Sequence, residues 1–128
     1  FQLNHLVTIG NHKTRRDVLE LLSIMEAPSS HPLATALVNA AKKEGVLASN
    51  DTTTVTNHSI LKGEGVTAFV DAEKVWVGNT KLFNRLGQYN QLHNDEKETA
   101  VKWDNDGGTV GFLGIENVGI VAMFCVSD

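Results

Sequence analysis

Residues 61–79 read Leu61-Lys62-Gly63-Glu64-Gly65-Val66-Thr67-Ala68-Phe69-Val70-Asp71-Ala72-Glu73-Lys74-Val75-Trp76-Val77-Gly78-Asn79, and their periodicity decides the fold class. After Gly65 the period is two: Val66, Ala68 and Val70 alternate with Thr67, Phe69 and Asp71, the pattern of a half-buried strand. Val75-Trp76-Val77 forms a return strand, and the Asp71 to Lys74 turn makes the two a hairpin. Toward the C-terminus, Thr80 is expected to cap a short helix holding Lys81, Leu82 and Phe83. A polar helix follows from about Asn94 to Trp103, with Asp95 and Glu96 near its positive end. Asp106-Gly107-Gly108 then turns the chain into two final strands, Thr109 to Gly114 and Val118 to Val126, joined around Glu116-Asn117.

Toward the N-terminus, residues 48–58 are rich in Asn, Asp, Thr and Ser, and read as a loop with a threonine-rich strand. Before them lie two helices. The first runs from about Arg15 to Met25, with Thr14 as N-cap and Val18, Leu21, Leu22 and Met25 on one face. Pro28-Ser29-Ser30 breaks it. The second has Ser30 or His31 as cap and Pro32 at the first helical position, where a missing N–H costs nothing; Gly45 stops it. A first strand, Phe1 to Ile9, turns at Gly10-Asn11. Hairpin-length connections imply antiparallel pairing, so the expected fold is α+β: an antiparallel sheet of about six strands flanked by helices.

Composition narrows the function. The chain has 128 residues, enough for one domain, with a formal charge of -4 and 41% hydrophobic residues. No run of Lys or Arg exceeds a pair (Arg15-Arg16, Lys42-Lys43), so the basic stripe of a nucleic-acid binder is missing. Cys125 is the single cysteine, which excludes an internal disulfide and a cysteine zinc cluster; in an apolar strand it reads as a buried structural thiol. No apolar run reaches the roughly 18 residues that cross a bilayer. Starting at Phe1 and stopping at Asp128 directly after a strand, the chain reads as an excised domain.

Common catalytic signatures are missing as well. There is no Gly-x-x-x-x-Gly-Lys-Ser/Thr loop, and Gly63-Glu64-Gly65 lacks a third glycine and precedes a strand, so it reads first as a bulge or tight turn. The five histidines (5, 12, 31, 58 and 93) have no metal-ligand spacing, and no metal site is expected. Trp76 and Trp103 read as packing residues.

Three elements in order change the picture: Glu26-Ala27-Pro28-Ser29-Ser30-His31-Pro32, then Lys62-Gly63-Glu64-Gly65-Val66, then Val75-Trp76-Val77-Gly78-Asn79. Together they resemble the nucleotide-binding domain of heavy-metal-transporting P-type ATPases. That family carries a Glu-x-x-x-x-His-Pro element, a Gly-x-Gly element followed by Ile or Val, and a Gly-Asn pair ending a strand. The resemblance covers nearly the whole chain, residues 1–128 as a single domain. The phosphorylated Asp-Lys-Thr-Gly-Thr segment of the family would lie just before Phe1.

The resemblance implies a role for each matching residue. Glu26 would accept from the exocyclic amine of adenine, and His31 would stack on or hydrogen-bond to the base. Gly63 and Gly65 would let the backbone approach the nucleotide, Val66 would pack on the base or ribose, and Gly78 and Asn79 would lie opposite, Asn79 toward the sugar. No lysine clamps the triphosphate, so the γ-phosphate of ATP would project to an aspartate of the phosphorylation domain, with Mg held there through the phosphates. The resemblance thus implies ATP and ADP as ligands and the phosphorylation and actuator domains of the same polypeptide as partners. This domain would lie on the cytosolic (or stromal or organellar) face of a multi-pass membrane protein. It would have no catalytic residue and would be inactive alone, with a dissociation constant of about 0.1 mM, or roughly -5.5 kcal/mol. The stretch Gly63-Glu64-Gly65-Val66, taken with Val77-Gly78-Asn79-Thr80-Lys81-Leu82-Phe83, is slightly closer to the zinc/cadmium pumps of the family than to its copper pumps. The rival expectation is a non-enzymatic α+β module in which the glycines serve turns and His31 only caps a helix.

Overall fold

The computed structural model describes residues 1–46 and 53–128; part of the polar 48–58 segment therefore lies outside the described residues. Six strands form one sheet: β1 (Gln2–Thr8), β2 (Val55–Leu61), β3 (Gly65–Val70), β4 (Glu73–Gly78), β5 (Thr109–Ile115) and β6 (Gly119–Ser127). Their order is β1-β6-β5-β4-β3-β2 and every pairing is antiparallel. The helices are α1 (Arg15–Glu26), α2 (Pro32–Lys43), α3 (Thr80–Arg85) and α4 (Asn94–Asn105), with a 3₁₀ turn at Tyr89–Gln91.

Helices cover both faces. Val18, Leu22, Met25 and Leu37 of α1 and α2 pack with Ala68, Val75, Leu113 and Phe124 of the sheet. On the opposite face Leu82, Phe83 and Trp103 pack with Trp76, Phe112 and Met123. Since successive side chains of a strand point to opposite faces, one sheet feeds both cores. The expected packing roles of Trp76 and Trp103 hold.

Local chemistry sets the element boundaries. Thr14 Oγ1 accepts from the Asp17 N–H at 3.2 Å and the Thr14 N–H donates to Asp17 Oδ2 at 3.1 Å, a reciprocal cap. Hydrogen bonds from Thr14 hold the Asp17 carboxyl below its ordinary range. Between β3 and β4 the loop is tighter than expected: Val70 pairs with Glu73, leaving Asp71 and Ala72 as a two-residue turn, both at positive φ (49° and 70°). That handedness matches the twist of a hairpin, though it strains alanine. One cap also differs from expectation. Asn79, not Thr80, caps α3: it keeps an extended backbone just ahead of the first helical residue, and its Oδ1 accepts from the Leu82 N–H.

Candidate functional site

Gly65 and Gly78 sit opposite one another in the β3–β4 ladder. A Cβ at Gly65 would lie 2.0 Å from the Val77 carbonyl oxygen, and one at Gly78 would lie 2.3 Å from that of Glu64. Both glycines are therefore required by backbone against backbone. Gly63 differs: φ is +75° and nothing lies within 4 Å of its missing Cβ, so it is a turn residue facing open space.

Asn79 locks this joint. Its Oδ1 accepts from the Leu82 N–H at 3.0 Å, its Nδ2 donates to the Gly63 carbonyl at 2.9 Å, and its own N–H donates to the Glu64 carbonyl at 2.9 Å. Arg85 adds a two-pronged pair with Glu64, Nε to Oε2 at 2.9 Å and Nη2 to Oε1 at 2.8 Å. That contact holds the Glu64 carboxyl below its usual range and raises Arg85. The Gly-x-Gly and Gly-Asn elements are thus two halves of one structure.

The other element lies across a cleft, at the junction of α1 and α2. His31 caps α2, its Nδ1 accepting from the Leu33 N–H at 3.1 Å. That bond places the proton of the neutral ring on Nε2 and fixes the plane of an otherwise exposed imidazole. Glu26 ends α1 and is only 8% exposed. Among the described residues its carboxylate has no hydrogen-bond partner. Burial pushes its pKa up, and the nearby His58 partly offsets this. His58 Nε2 lies 2.9 Å from the Met25 carbonyl, to which it donates.

These parts enclose a cavity of about 190 Å³ whose walls include Glu26, Leu33, Gly65, Gly78, Asn79 and Gly111. Of the seven residues expected at a site, four line it. His31 and Gly63 are not among its walls, although Leu33 and Glu64, close to them in the chain, are. Val66 is buried in the core shared with α1 and α2. A larger cavity of about 510 Å³ opens against α3 and α4, near Lys81, Tyr89 and Asp104, and shares Asn79, Thr109 and Val110 with the first. Of the expected site residues only Asn79 lines it, against four for the smaller cavity, which is therefore the better candidate. That smaller volume is below the roughly 300–1,000 Å³ of pockets that enclose a whole drug-sized ligand, and suits a planar ring with the rest of the molecule outside.

Sequence reasoning missed His58, Arg85 and the start of β5. None carries a local signal: His58 sits in a polar stretch that resembles a loop, and Arg85 meets Glu64 only because α3 folds back. Cys125 is buried as expected, and burial first, then Asp106 and Asp104, push its thiol up, away from a reactive thiolate. Among the described residues no cluster of His, Cys, Asp or Glu could hold a metal, and no helix is long and apolar enough to cross a membrane.

No family model matches the chain. A probable cadmium-transporting ATPase of Alkalihalophilus pseudofirmus is 28% identical over 113 residues, covering 88% of this chain and 15% of that protein. A copper-exporting P-type ATPase of Staphylococcus epidermidis (strain ATCC 12228 / FDA PCI 1200) is 33% identical over 111 residues, covering 84% of this chain and 13% of that protein. In three dimensions, the crystal structure of the N-domain of HMA8, a copper-transporting P-type ATPase, matches with a TM-score of 0.71 at 24% identity. That match covers 98% of this chain and 99% of the other. This chain is an N-domain of the heavy-metal P-type ATPase family. The N-domain matches 13% to 15% of the length of the two relatives. The expected α+β sheet with flanking helices is the fold of this domain.

Proposed function

We propose that this N-domain binds ATP by its adenine base in the Glu26 cavity and presents the γ-phosphate to a phosphorylation domain of the same polypeptide. One observation carries the reading. Gly65, Gly78, Asn79 and His31 each have a structural task, in the ladder or as helix caps, that would exist without a ligand. The Glu26 carboxylate has none: the residue is largely buried, makes no side-chain hydrogen bond among the described residues, and keeps its oxygens open into a ring-sized cavity. An adenine amine would donate to those oxygens, a charge-assisted hydrogen bond of the stronger kind.

The residues divide the work. Glu26 reads the amine. The capped His31 offers a flat face and an Nε2–H donor. Leu33 and the glycines give the ring an apolar enclosure. Gly63 and Val66 act through the turn and the core that hold the joint, and Asn79 fixes that joint in place. ATP brings the transferable phosphoryl group, and Mg would be held through its phosphates and by the phosphorylation domain. The isolated domain then binds nucleotide and transfers nothing. The larger protein, with phosphorylation and actuator domains, would be an ATP-hydrolysing pump of heavy-metal cations. This domain would sit on the cytosolic, or the equivalent organellar, side of its membrane. With a cadmium transporter at 28% identity and a copper exporter at 33%, the proposal names no single ion.

The test is amide chemical-shift mapping of the N-domain with ATP, ADP and GTP, beside Glu26→Ala and His31→Asn. Asparagine is a good cap, so His31→Asn removes the imidazole while preserving α2. Saturable, adenine-selective shifts around Glu26, Gly65 and Asn79, weakened in both variants, are expected. A flat titration on the folded parent sinks the proposal and leaves a structural module.

A further inference from the structure

The first three residues of β5 have a strand neighbour on one side only. β5 pairs with β6 from Thr109 onward. Its pairing with β4 begins only at Phe112, opposite Gly78, because the chain leaves the sheet at Asn79 to start α3. Thr109, Val110 and Gly111 therefore carry a strand edge that β4 does not cover. Among the described residues no backbone hydrogen bond from a turn or loop reaches these three. All three line the same cavity as Glu26, and Thr109 and Val110 also line the larger one behind it.

In an antiparallel strand the N–H and C=O of one residue point to the same edge, and successive residues alternate edges. Of three consecutive residues, at least one must then aim both groups at the open side. Gly111 is buried, Val110 half-buried and Thr109 exposed, so this edge presents unpaired donors and acceptors at the wall of the cavity, where a ligand that fills it can take them up. The polar edge of adenine offers one: the ring N1 accepts, and the exocyclic amine has two hydrogens. One hydrogen can go to the Glu26 carboxylate and the other to a strand carbonyl, while N1 takes a strand N–H.

We infer that the uncovered edge of β5 at Thr109–Gly111 is the base-reading element of this domain, hydrogen-bonding the edge of adenine opposite Glu26. This rests on the ATP reading above and adds what selects the base. A purine with a carbonyl in place of the amine would set an acceptor against the carboxylate and a ring N–H against the strand N–H. It is rejected at both points.

The experiment is site-resolved amide hydrogen exchange by NMR of the 128-residue chain, free and saturated with ATP, together with inosine triphosphate affinity. The expected result is about tenfold slower exchange at the amide or amides facing the open edge, with the alternate residue, paired to β6, unchanged. Inosine triphosphate should bind about tenfold more weakly. Saturable ATP binding with unchanged exchange at residues 109–111 and equal affinity for both nucleotides overturns the inference while sparing the ATP reading. Equal slowing at all three amides means general stabilisation and also overturns it. No ATP binding at all overturns both.

Discussion

Gly65→Ala separates two explanations of the Gly-x-Gly element. If the glycine exists so that a nucleotide can approach the backbone, alanine spares stability and damages binding alone. The structure says otherwise. The new Cβ would meet the Val77 oxygen at 2.0 Å and the Gly78 Cα at 2.6 Å, so the strands must part by roughly 1.4 Å to regain ordinary contact. Parting them weakens the ladder around Gly65–Gly78 and Val66–Val77 and loosens packing against Leu82. Two hydrogen bonds at about 1 kcal/mol each, plus overpacking of similar size, give about 3 kcal/mol, or roughly 10 °C in melting temperature for a domain of this size. Gly63→Ala is the control: its Cβ meets open space, and only the φ of +75° opposes it, at about 1 kcal/mol or 3–5 °C. Thermal unfolding by circular dichroism at fixed pH measures both. A Gly65→Ala domain melting within about 3 °C of the parent, or a Gly63→Ala domain melting lower than the Gly65→Ala one, would refute this account.

Two further perturbations follow from the same structure. Burial raises the Glu26 carboxyl pKa in the folded state, so its favourable contribution is present below the unfolded value and is lost as pH rises through the folded value. Glu26→Gln should therefore melt higher than the parent at about pH 8 and converge with it below about pH 4; a gap independent of pH would contradict the burial argument. Ala72 holds φ +70° in the β3–β4 turn, and Ala72→Gly should stabilise the domain by about 0.5–1 kcal/mol in urea unfolding, with a loss of stability counting against the turn assignment.

The strands and helices were legible because each has a clear period or cap. Val66, Ala68 and Val70 alternate, Val18, Leu21, Leu22 and Met25 share a helix face, and Pro32 and Gly45 bracket α2. The site was legible through three short elements, but their division of labour was not. Gly65 looked like a place for a ligand to come close; only the register shows that Gly78 and the Val77 backbone already occupy that space. Asn79 looked like a sugar contact, and pairing shows its amide committed to Leu82 and Gly63. His58 and the start of β5 were invisible because they matter by position alone. Register and strand offset are tertiary facts, and no local composition encodes them.

Under the proposed binding mode, the separation of structural from ligand-facing residues bears on how a small domain would hold a ring firmly while the rest of the nucleotide stays free. The floor of the cavity comes from β3, β4 and β5, where Gly65, Gly78 and Gly111 add no side chains. Asn79 and the Glu64–Arg85 pair brace that floor, and the His31 cap sets the start of α2, whose Leu33 is part of the opposite wall. A preorganised slot loses little conformational freedom on binding, so a few hydrogen bonds suffice to hold a base. At about 190 Å³ the enclosure would not extend to the phosphates of a nucleotide bound this way, and no lysine lines it. In the proposed mode, grip on the base and freedom of the γ-phosphate would therefore come from the same feature: a cavity closed around a ring and open beyond it.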